Sequence, residues 1–288
     1  MAKKVKIVLA TNAHTRPLKE GIITSPDVEL EFTEYKGVPK AAEDMLDGYP
    51  FDVCEMPLVT LLQAFDAKAK VKLLPIVMVG EFHHGSCWYR PGSDISAPAD
   101  VKGKKIGVRA YTQTTGAWVR GVLSEQFGVA SKDVTWVTTE PPHVATYVLP
   151  ENVEVVPGAD LEQMVRDDEL AAVIQGTKQG VPEGLAQLVP NLPNAIATWY
   201  EKNKCVPINH MVVVKDDMDE KTVAAVYEML TKAVDQAYPV DSRPEPFPYV
   251  YNIEGVWPAV EIGMKYCLEQ GLIERLYTKE EIFAKGVK

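Results

Sequence analysis

Cysteine is scarce in this sequence, and the chain has no long apolar run. Its four cysteines are widely separated and form none of the C-x-x-C pairs that zinc and redox sites use, so we expect buried free thiols. No apolar stretch approaches the roughly 20 residues that a membrane span needs. The first residues have the pattern of a short strand instead of a secretory signal, which predicts a cytoplasmic protein with no membrane partner, although an exported protein from which the signal has been removed would show the same pattern.

Several catalytic motifs are also missing. The sequence contains no H-E-x-x-H, P-loop, G-x-S-x-G or G-x-G-x-x-G pattern, so metal hydrolases, kinases, serine hydrolases and Rossmann oxidoreductases lack support. Positive charge is in deficit, because 30 Lys and Arg against 40 Asp and Glu give a net charge of −10. This balance argues against a nucleic-acid partner, although it is compatible with a local cationic pocket.

Short β-branched runs alternate with helical patterns along the chain, which predicts an α/β fold. A chain of 288 residues with 46% hydrophobic content has enough material for two cores. The predicted strands are Val5–Ala10, Phe51–Met56, Val71–Val79, Lys105–Val108, Val134–Val137, Ala171–Gln175 and Met211–Val214. The predicted helices include Thr115–Phe127, Glu220–Tyr238 and Trp257–Gln270, with a proline-rich loop, Pro239–Pro248, before the last of them.

One local pattern occurs twice. A helix end, a charged turn and a buried strand are predicted at 44–55 and again at 163–174. Two occurrences about 120 residues apart suggest two lobes that are wound alike. We therefore predict a first lobe at 1–104 and 215–288 and a second lobe at 105–214, with crossings near 104–108 and 208–214. The ligand cleft is expected between the lobes.

Polar residues follow several of the predicted strands, and in open α/β sheets ligands bind at the carboxyl ends of strands. His14 and Arg16 follow the first strand, Glu55 ends a buried strand, and His210 lies on the return strand between the lobes. Simpler interpretations are a solvated loop for the first pair, a dipole-favoured helix cap for Glu55 and a core hydrogen bond for His210.

The segment at 81–90 is a further candidate, because His83, His84 and Ser86 follow an apolar strand. If this segment is extended, the adjacent histidines point to opposite sides and only one of them faces the cleft.

The segment at 107–116 is the most specific for anion binding. It places Arg109 and Gln113 ahead of a predicted helix for which Thr114 or Thr115 is the candidate N-cap. Free N–H groups beside Arg109 would make a seat for a carboxylate. The simpler interpretation is an ordinary capped helix.

These same segments resemble the 4,5-dihydroxyphthalate decarboxylase family, which is itself similar to type 2 periplasmic solute-binding proteins. The stretches that carry the resemblance are Thr15-Arg-Pro-Leu, Phe51-Asp-Val-Cys-Glu-Met-Pro-Leu, Phe82-His-His-Gly-Ser-Cys-Trp-Tyr, Gly107-Val-Arg-Ala-Tyr-Thr-Gln-Thr-Thr-Gly-Ala-Trp-Val-Arg-Gly, Ile208-Asn-His-Met-Val-Val and Glu269-Gln-Gly-Leu. The resemblance implies a two-lobed, type 2 periplasmic-binding-protein-like α/β fold that catalyses a reaction of an aromatic dicarboxylate.

Our hypothesis is therefore a cofactor-free decarboxylase of a hydroxylated, phthalate-like acid. The ring carbon that bears the carboxylate must be protonated, which requires an acid, a base and an anion seat. We assign His84 or Glu55 as the acid and His210 as the base. The predicted substrate-binding residues are His14, Arg16, His83, Ser86, Arg109, Tyr111, Gln113, Thr114 and Thr115.

Two alternatives stay open. The first is a solute-binding protein that delivers a small carboxylate without catalysis. In the second, the histidines and Glu55 hold a divalent metal that acts as a Lewis acid. The partner in each case is a small carboxylate, and an oligomer is compatible with the sequence.

Overall fold

The computed structural model describes residues 2–176 and 180–287, and the chain divides into two compact units. The first unit contains Met1–Glu81, Ile208–Glu261 and Tyr277–Lys288, and the second unit contains Phe82–Pro207 and Ile262–Leu276. Each unit has its own β-sheet, and the two predicted helix–turn–strand segments fall one in each unit.

The first unit has a five-stranded sheet in the order β2-β1-β3-β11-β4. Its strands are β1 (Lys3–Val8), β2 (Val28–Phe32), β3 (Val53–Pro57), β4 (Val71–Gly80) and β11 (Ile208–Lys215). Its helices are α1 (Arg16–Lys19), α2 (Val38–Leu46), α3 (Leu58–Asp66), α7 (Glu220–Ala237) and α9 (Lys279–Ile282). Strand β1 pairs in parallel with β2 and β3, whereas β11 runs antiparallel to β3 and β4.

The second unit has a six-stranded sheet in the order β10-β5-β9-β6-β7-β8. Its strands are β5 (Cys87–Tyr89), β6 (Lys105–Val108), β7 (Thr135–Thr138), β8 (Val153–Val155), β9 (Ala172–Ile174) and β10 (Ala186–Gln187). Its helices are α4 (Thr114–Phe127), α5 (Leu161–Arg166) and α6 (Leu192–Asn203), while α8 (Ile253–Glu269) starts in the first unit and ends in the second.

Each predicted strand overlaps an observed one, but the predicted lobe boundaries differ from the observed units. The first crossing lies between Glu81 and Phe82, because β5 pairs with β9 in the second sheet. The second lies between Pro207 and Ile208, because β11 is inserted between β3 and β4. Residues 208–214 therefore belong to the first unit and not to the second. Residues 262–276 belong to the second unit, although the sequence analysis placed them in the first lobe.

Apolar side chains explain where the helices pack. Helix α7 is N-capped by Asp219, whose carboxylate accepts the Thr222 N–H at 2.9 Å, and it buries Val223, Val226 and Leu230 against the first sheet. All four cysteines are buried and free, as predicted. No helix in the described ranges is long and apolar enough to cross a membrane.

Helix α4 shows how tightly the second unit is packed. A methyl group added at Gly121 would lie 1.9 Å from the Tyr266 ring, whereas one added at Gly176 would meet no atom within 4 Å. Overpacking of this kind typically costs about 1–3 kcal/mol. We expect Gly121→Ala to lower the urea midpoint of unfolding clearly and Gly176→Ala to change it little. Equal midpoints for the two variants would contradict this packing.

The directions of the strands determine which loops lie at the same edge of each sheet. Because β1 and β3 are parallel neighbours, their carboxyl ends lie at one edge of the first sheet. Strand β11 runs the opposite way and places His210 opposite Pro57, at the same edge. In the second unit the parallel strands β6, β7 and β9 likewise end at one edge, where Arg109, Thr139 and Gln175 follow them.

Candidate functional site

Glu55 and His210 form a hydrogen-bonded pair in the first unit. The Glu55 side chain is 1% exposed, and its Oε1 lies 2.7 Å from His210 Nδ1. Its Oε2 accepts a hydrogen bond from the Ala10 N–H at 2.8 Å. With Glu55 ionised, this geometry selects the Nδ1–H tautomer and leaves Nε2 for proton exchange. The His210 side chain remains 20% exposed. Glu55 is thus placed to orient the imidazole.

The loop after β1 holds His14 in a buried position. The Thr15 hydroxyl donates to the Ala10 carbonyl at 2.7 Å, and Asn12 Oδ1 accepts the backbone N–H groups of His14 and Thr15. This Asx-type turn fixes the backbone that carries the imidazole ring. Burial lowers the pKa of His14 to about 4, although the nearby Glu55 carboxylate acts in the opposite direction. Arg16, in contrast, is exposed at the start of α1.

Two tyrosines that the sequence analysis did not select complete this group. The His14 ring centroid lies 4.7 Å from that of Tyr249 and 5.9 Å from that of Tyr238. The two tyrosine rings stack on each other at 4.8 Å with an interplanar angle of 16°. Both lie around the proline-rich segment, which the sequence predicted only as a loop, and its concentration of aromatic residues was the available signal.

The segment that carries Tyr249 is attached to the edge strand β4. The Val77 N–H donates to the Val250 carbonyl at 3.1 Å, and Ile76 forms an antiparallel bridge with Tyr251. Gly80 permits this approach, because a Cβ there would lie 2.6 Å from the Pro248 carbonyl oxygen. The backbone of β4 therefore fixes the chain on both sides of Tyr249, one of the two rings that pack against His14.

The second unit contains a cavity of about 390 Å³ at the carboxyl ends of its strands. Its lining includes Arg109 after β6, Thr139 after β7 and Gln175 after β9, together with Gln113 at the start of α4. Asp160 and Glu162 are acidic lining residues, and the remaining ones are Ala159, Leu161, Val173, Ile174 and Gly176. The sequence analysis selected Arg109 and Gln113 but missed Thr139 and Gln175, which directly follow the observed strands β7 and β9.

The helix beside the predicted carboxylate-binding site, α4, has a different N-cap residue from the one that the sequence predicted. Gln113 occupies the N-cap position of α4, without a capping hydrogen bond from its side chain, and Thr114 and Thr115 are buried in the first turn. The assignment of Thr114 or Thr115 as the N-cap was wrong, because the helix begins at Thr114 and the N-cap is the residue before it. Arg109 Nη1 lies 2.7 Å from Glu140 Oε2, so a ligand carboxylate would have to compete with Glu140 for the guanidinium.

Tyr111, which the sequence analysis assigned to substrate binding, is a buried core residue. Its hydroxyl donates to the Gln270 carbonyl at 2.9 Å, and its ring covers the Arg120 guanidinium at 4.1 Å. Arg120, which the sequence analysis did not select, is 1% exposed and donates to Gln270 Oε1 and to the Tyr111 carbonyl oxygen. This buried cation fixes the backbone that leads into α4.

The histidine segment is buried in the second unit. His83, His84 and Ser86 are each 1% exposed. Residues 84–85 form a turn, so the segment does not meet the condition of an extended chain from which opposite directions of the two histidines would follow. The His84 ring lies about 6 Å from the rings of Phe82 and Trp199. Burial lowers the pKa of His84 to about 4, while the neighbouring Gln126 amide partly raises it. This is an aromatic environment that favours neutral imidazole.

Because His14 and His84 are buried, we expect the free energy of unfolding to depend on pH. Below pH 6.5 the unfolded chain protonates both side chains, whereas the folded chain resists protonation until about pH 4. The free energy of unfolding should therefore fall as the pH falls through this window, by at most about 1.4 kcal/mol per pH unit for each histidine.

Urea unfolding at pH 7, 6, 5 and 4 measures this effect. His84→Gln removes one of the two titrating groups, so its midpoint should depend less steeply on pH than that of the wild type. An identical pH dependence in the variant would show that His84 does not resist protonation in the folded protein.

Comparison with characterised proteins adds an independent observation. A 4,5-dihydroxyphthalate decarboxylase from Comamonas testosteroni is 31% identical over 206 residues, which cover 65% of this chain and 59% of the relative. A protein of the same name from Pseudomonas putida is 36% identical over 92 residues, which cover 30% of this chain and 34% of the relative. The resemblance to the 4,5-dihydroxyphthalate decarboxylases is confirmed. In both alignments this chain spans less than two thirds of the decarboxylase.

Residues 63–187 also match the family model described as NMT1/THI5 like. Among solved structures, the alkanesulfonate-binding protein SsuA from Xanthomonas axonopodis pv. citri is 12% identical, with a TM-score of 0.57 and 98% coverage of both chains. A complex of the desulfurization enzyme DSZB with biphenyl-2-sulfinic acid is 14% identical, with a TM-score of 0.54 and coverage of 99% of this chain and 98% of the other. These likenesses establish the periplasmic-binding-protein-like fold, as predicted.

The divalent-metal alternative needs a set of ligands. In the part of the chain that the structure describes, no group of three or more His, Cys, Asp or Glu side chains could hold a metal ion. The cofactor-free hypothesis remains a prediction, which metal analysis of the purified protein would test.

Proposed function

We propose that this protein is a carboxy-lyase that removes CO2 from a hydroxylated, phthalate-like aromatic acid. The observation that carries the proposal is the Glu55–His210 pair, a carboxylate and an imidazole joined at 2.7 Å. The names of the relatives, which are decarboxylases of a dihydroxylated phthalate, support this reaction class and this type of substrate.

The geometry changes the roles that the sequence suggested. Both Glu55 oxygens are engaged, one by His210 and the other by the Ala10 N–H, so Glu55 acts as the positioning residue. The partly exposed His210 is then the group that transfers the proton, through Nε2. A neighbouring carboxylate stabilises the imidazolium form and holds the ring in one orientation.

The reaction consumes one proton. His210 in its imidazolium form donates the Nε2 proton to the ring carbon that bears the carboxylate. The bond between that carbon and the carboxylate then breaks, its electron pair restores the aromatic ring, and CO2 leaves. Solvent reprotonates His210. A ring hydroxyl that donates electron density lowers the barrier, because the protonated ring is electron-poor.

Recognition of the anionic substrate requires donors and positive charge. We assign this role to the cavity lined by Arg109, Gln113, Thr139 and Gln175, since guanidinium, amide and hydroxyl groups bind carboxylates. The Glu140 carboxylate pairs with the Arg109 guanidinium at 2.7 Å, and a bound carboxylate would replace it.

The second candidate is a solute-binding protein for a small carboxylate. It follows from the fold alone, because the fold is shared with an alkanesulfonate-binding protein. The Glu55–His210 pair favours the enzyme, since binding without chemistry does not need an oriented imidazole.

A screen of hydroxylated phthalates and benzoates for CO2 release, combined with calorimetric binding of the same compounds, separates the two functions. The carboxy-lyase is expected to release CO2 from a ring-hydroxylated acid in stoichiometric amounts. Tight binding of such an acid without release of CO2 would establish the solute-binding protein instead. Metal analysis and an EDTA-treated sample, run in parallel, test the cofactor-free hypothesis.

A further inference from the structure

His14 has a polar ring with unmet hydrogen-bonding capacity. The residue is 3% exposed, and neither Nδ1 nor Nε2 has a hydrogen-bond partner among the described residues. Leaving a buried polar group without a partner typically costs about 1–3 kcal/mol. Exceptions of this kind in a folded protein call for a functional explanation, and a ligand that supplies the missing partner is one.

The ring belongs to the same group of side chains as the Glu55–His210 pair. Glu55 accepts the Ala10 N–H, and the Thr15 hydroxyl donates to the Ala10 carbonyl, so one residue connects Glu55 to the His14 loop. The Glu55 carboxylate is also close enough to act on the charge of His14. Both observations concern the first unit alone.

The surrounding aromatic rings pack against the His14 imidazole but form no hydrogen bond with its nitrogens. Tyr249 and Tyr238 pack against His14 at centroid distances of 4.7 and 5.9 Å. Burial, together with the neighbouring Tyr249 hydroxyl, raises the pKa of Tyr238 to about 12. The tyrosines thus fix the orientation of the ring, and its nitrogens are left for another partner.

The charge state of the ring selects the type of partner. A neutral imidazole offers one N–H donor and one acceptor lone pair. A carboxylate could use only the donor, and the buried Glu55 carboxylate nearby disfavours a second negative charge. A hydroxyl group can donate to the lone pair or accept from the N–H, and it brings no charge.

We propose that His14 is a specificity-determining residue that binds a ring hydroxyl of the aromatic substrate. The assignment rests on the proposed function and deepens it, because the hydroxyl that the reaction uses becomes a requirement for binding. A site built to hydrogen-bond a substrate hydroxyl can reject the analogue that lacks it by as much as about 10⁴-fold, since its buried polar groups would stay unpaired.

The test compares the affinities of the full chain for two ligands that differ by one hydroxyl, phthalate and monohydroxylated phthalate. Calorimetry at pH 7 should show that the wild type prefers the hydroxylated ligand by about tenfold or more. His14→Phe, which keeps the packing against the tyrosines but has no hydrogen-bonding atoms, should reduce this preference to less than about threefold. His14→Gln, which can donate and accept, should retain part of it. His143→Phe, the same substitution in the second unit, is the control and should leave the preference unchanged.

Each outcome decides the proposal independently of CO2 release. Equal affinities of the wild type for the two ligands, or an undiminished preference in His14→Phe, would overturn it. If His14→Phe does not fold, a His14→Gln preference indistinguishable from that of His14→Leu would overturn it as well. A preference that is lost in His14→Phe supports the hydroxyl subsite even if no ligand releases CO2, in which case only the carboxy-lyase function fails.

Discussion

His210→Gln is expected to lower the rate of CO2 release about 100-fold or more while the affinity for the aromatic acid changes less than tenfold. Glutamine preserves hydrogen bonding to Glu55 but cannot transfer a proton near neutral pH. The His210 Nδ1 lies 2.7 Å from Glu55, so the substitution removes the proposed proton donor without leaving the buried carboxylate unpaired. Single-turnover rates and calorimetric affinities measured on the same preparations separate the two effects.

Two companion variants make this result specific. Glu55→Gln keeps an acceptor for the Ala10 N–H but removes the charge that supports the imidazolium form, and loss of such a supporting partner typically costs about 10–100-fold. His84→Gln tests the other histidine that the sequence analysis assigned to catalysis, and its burial among aromatic rings predicts the smaller loss of the two histidine variants. A His210→Gln enzyme that retains more than a tenth of the wild-type rate would exclude His210 as the proton donor.

The pH–rate profile provides a second measurement of the same group. The wild-type profile should bend where the proton donor is deprotonated, because only its protonated form transfers the proton. The residual activity of His210→Gln should lack this bend. A bend that persists in the variant would assign the titration to another group.

Local patterns in the sequence were sufficient to predict the elements of the fold but not its division into units. The β-branched runs at Val71–Val79 and Lys105–Val108 are strands because their composition favours a buried, extended chain. The boundary at residue 104 was misplaced because it depends on β5, whose partner β9 lies far away in the sequence. A strand of three residues has no periodicity from which its partner can be read.

Local sequence patterns were likewise sufficient to select residues of the candidate site but not to predict which of them lie together. Glu55 and His210 were selected separately, since each lies near the end of a predicted strand. Their pairing depends on the register of β11 against β3, which only the folded sheet defines. Tyr111 was assigned to the ligand as part of the segment that carries Arg109, yet its hydroxyl is held by the Gln270 carbonyl and its ring contacts Arg120. Neighbours in sequence at a strand end can face the cavity or the core, and the packing of distant segments decides which.

Arg109→Ala is expected to weaken binding of the aromatic carboxylate by roughly 30-fold to several thousand-fold, which corresponds to about 2–5 kcal/mol, while the apo protein stays folded. The guanidinium lines the cavity of the second unit and is half-exposed. Its removal should therefore weaken ligand binding more than it disturbs the packing of the core. Calorimetric affinities for phthalate and the thermal midpoints of the apo proteins separate a binding defect from a folding defect.

Two further variants show whether the effect belongs to this arginine or to charge in general. Arg90 is also paired with a carboxylate in the second unit, that of Asp168, but it lines a different cavity. Arg90→Ala removes the same charge and should leave the affinity for phthalate nearly unchanged.

Glu140→Gln should act in the opposite direction to Arg109→Ala, because it removes the carboxylate that is paired with the Arg109 guanidinium at 2.7 Å. The affinity of this variant should rise, since the ligand no longer displaces a charged competitor. If Arg109→Ala binds phthalate within threefold of the wild type, the carboxylate seat lies elsewhere, and Glu140→Gln should then have no effect either.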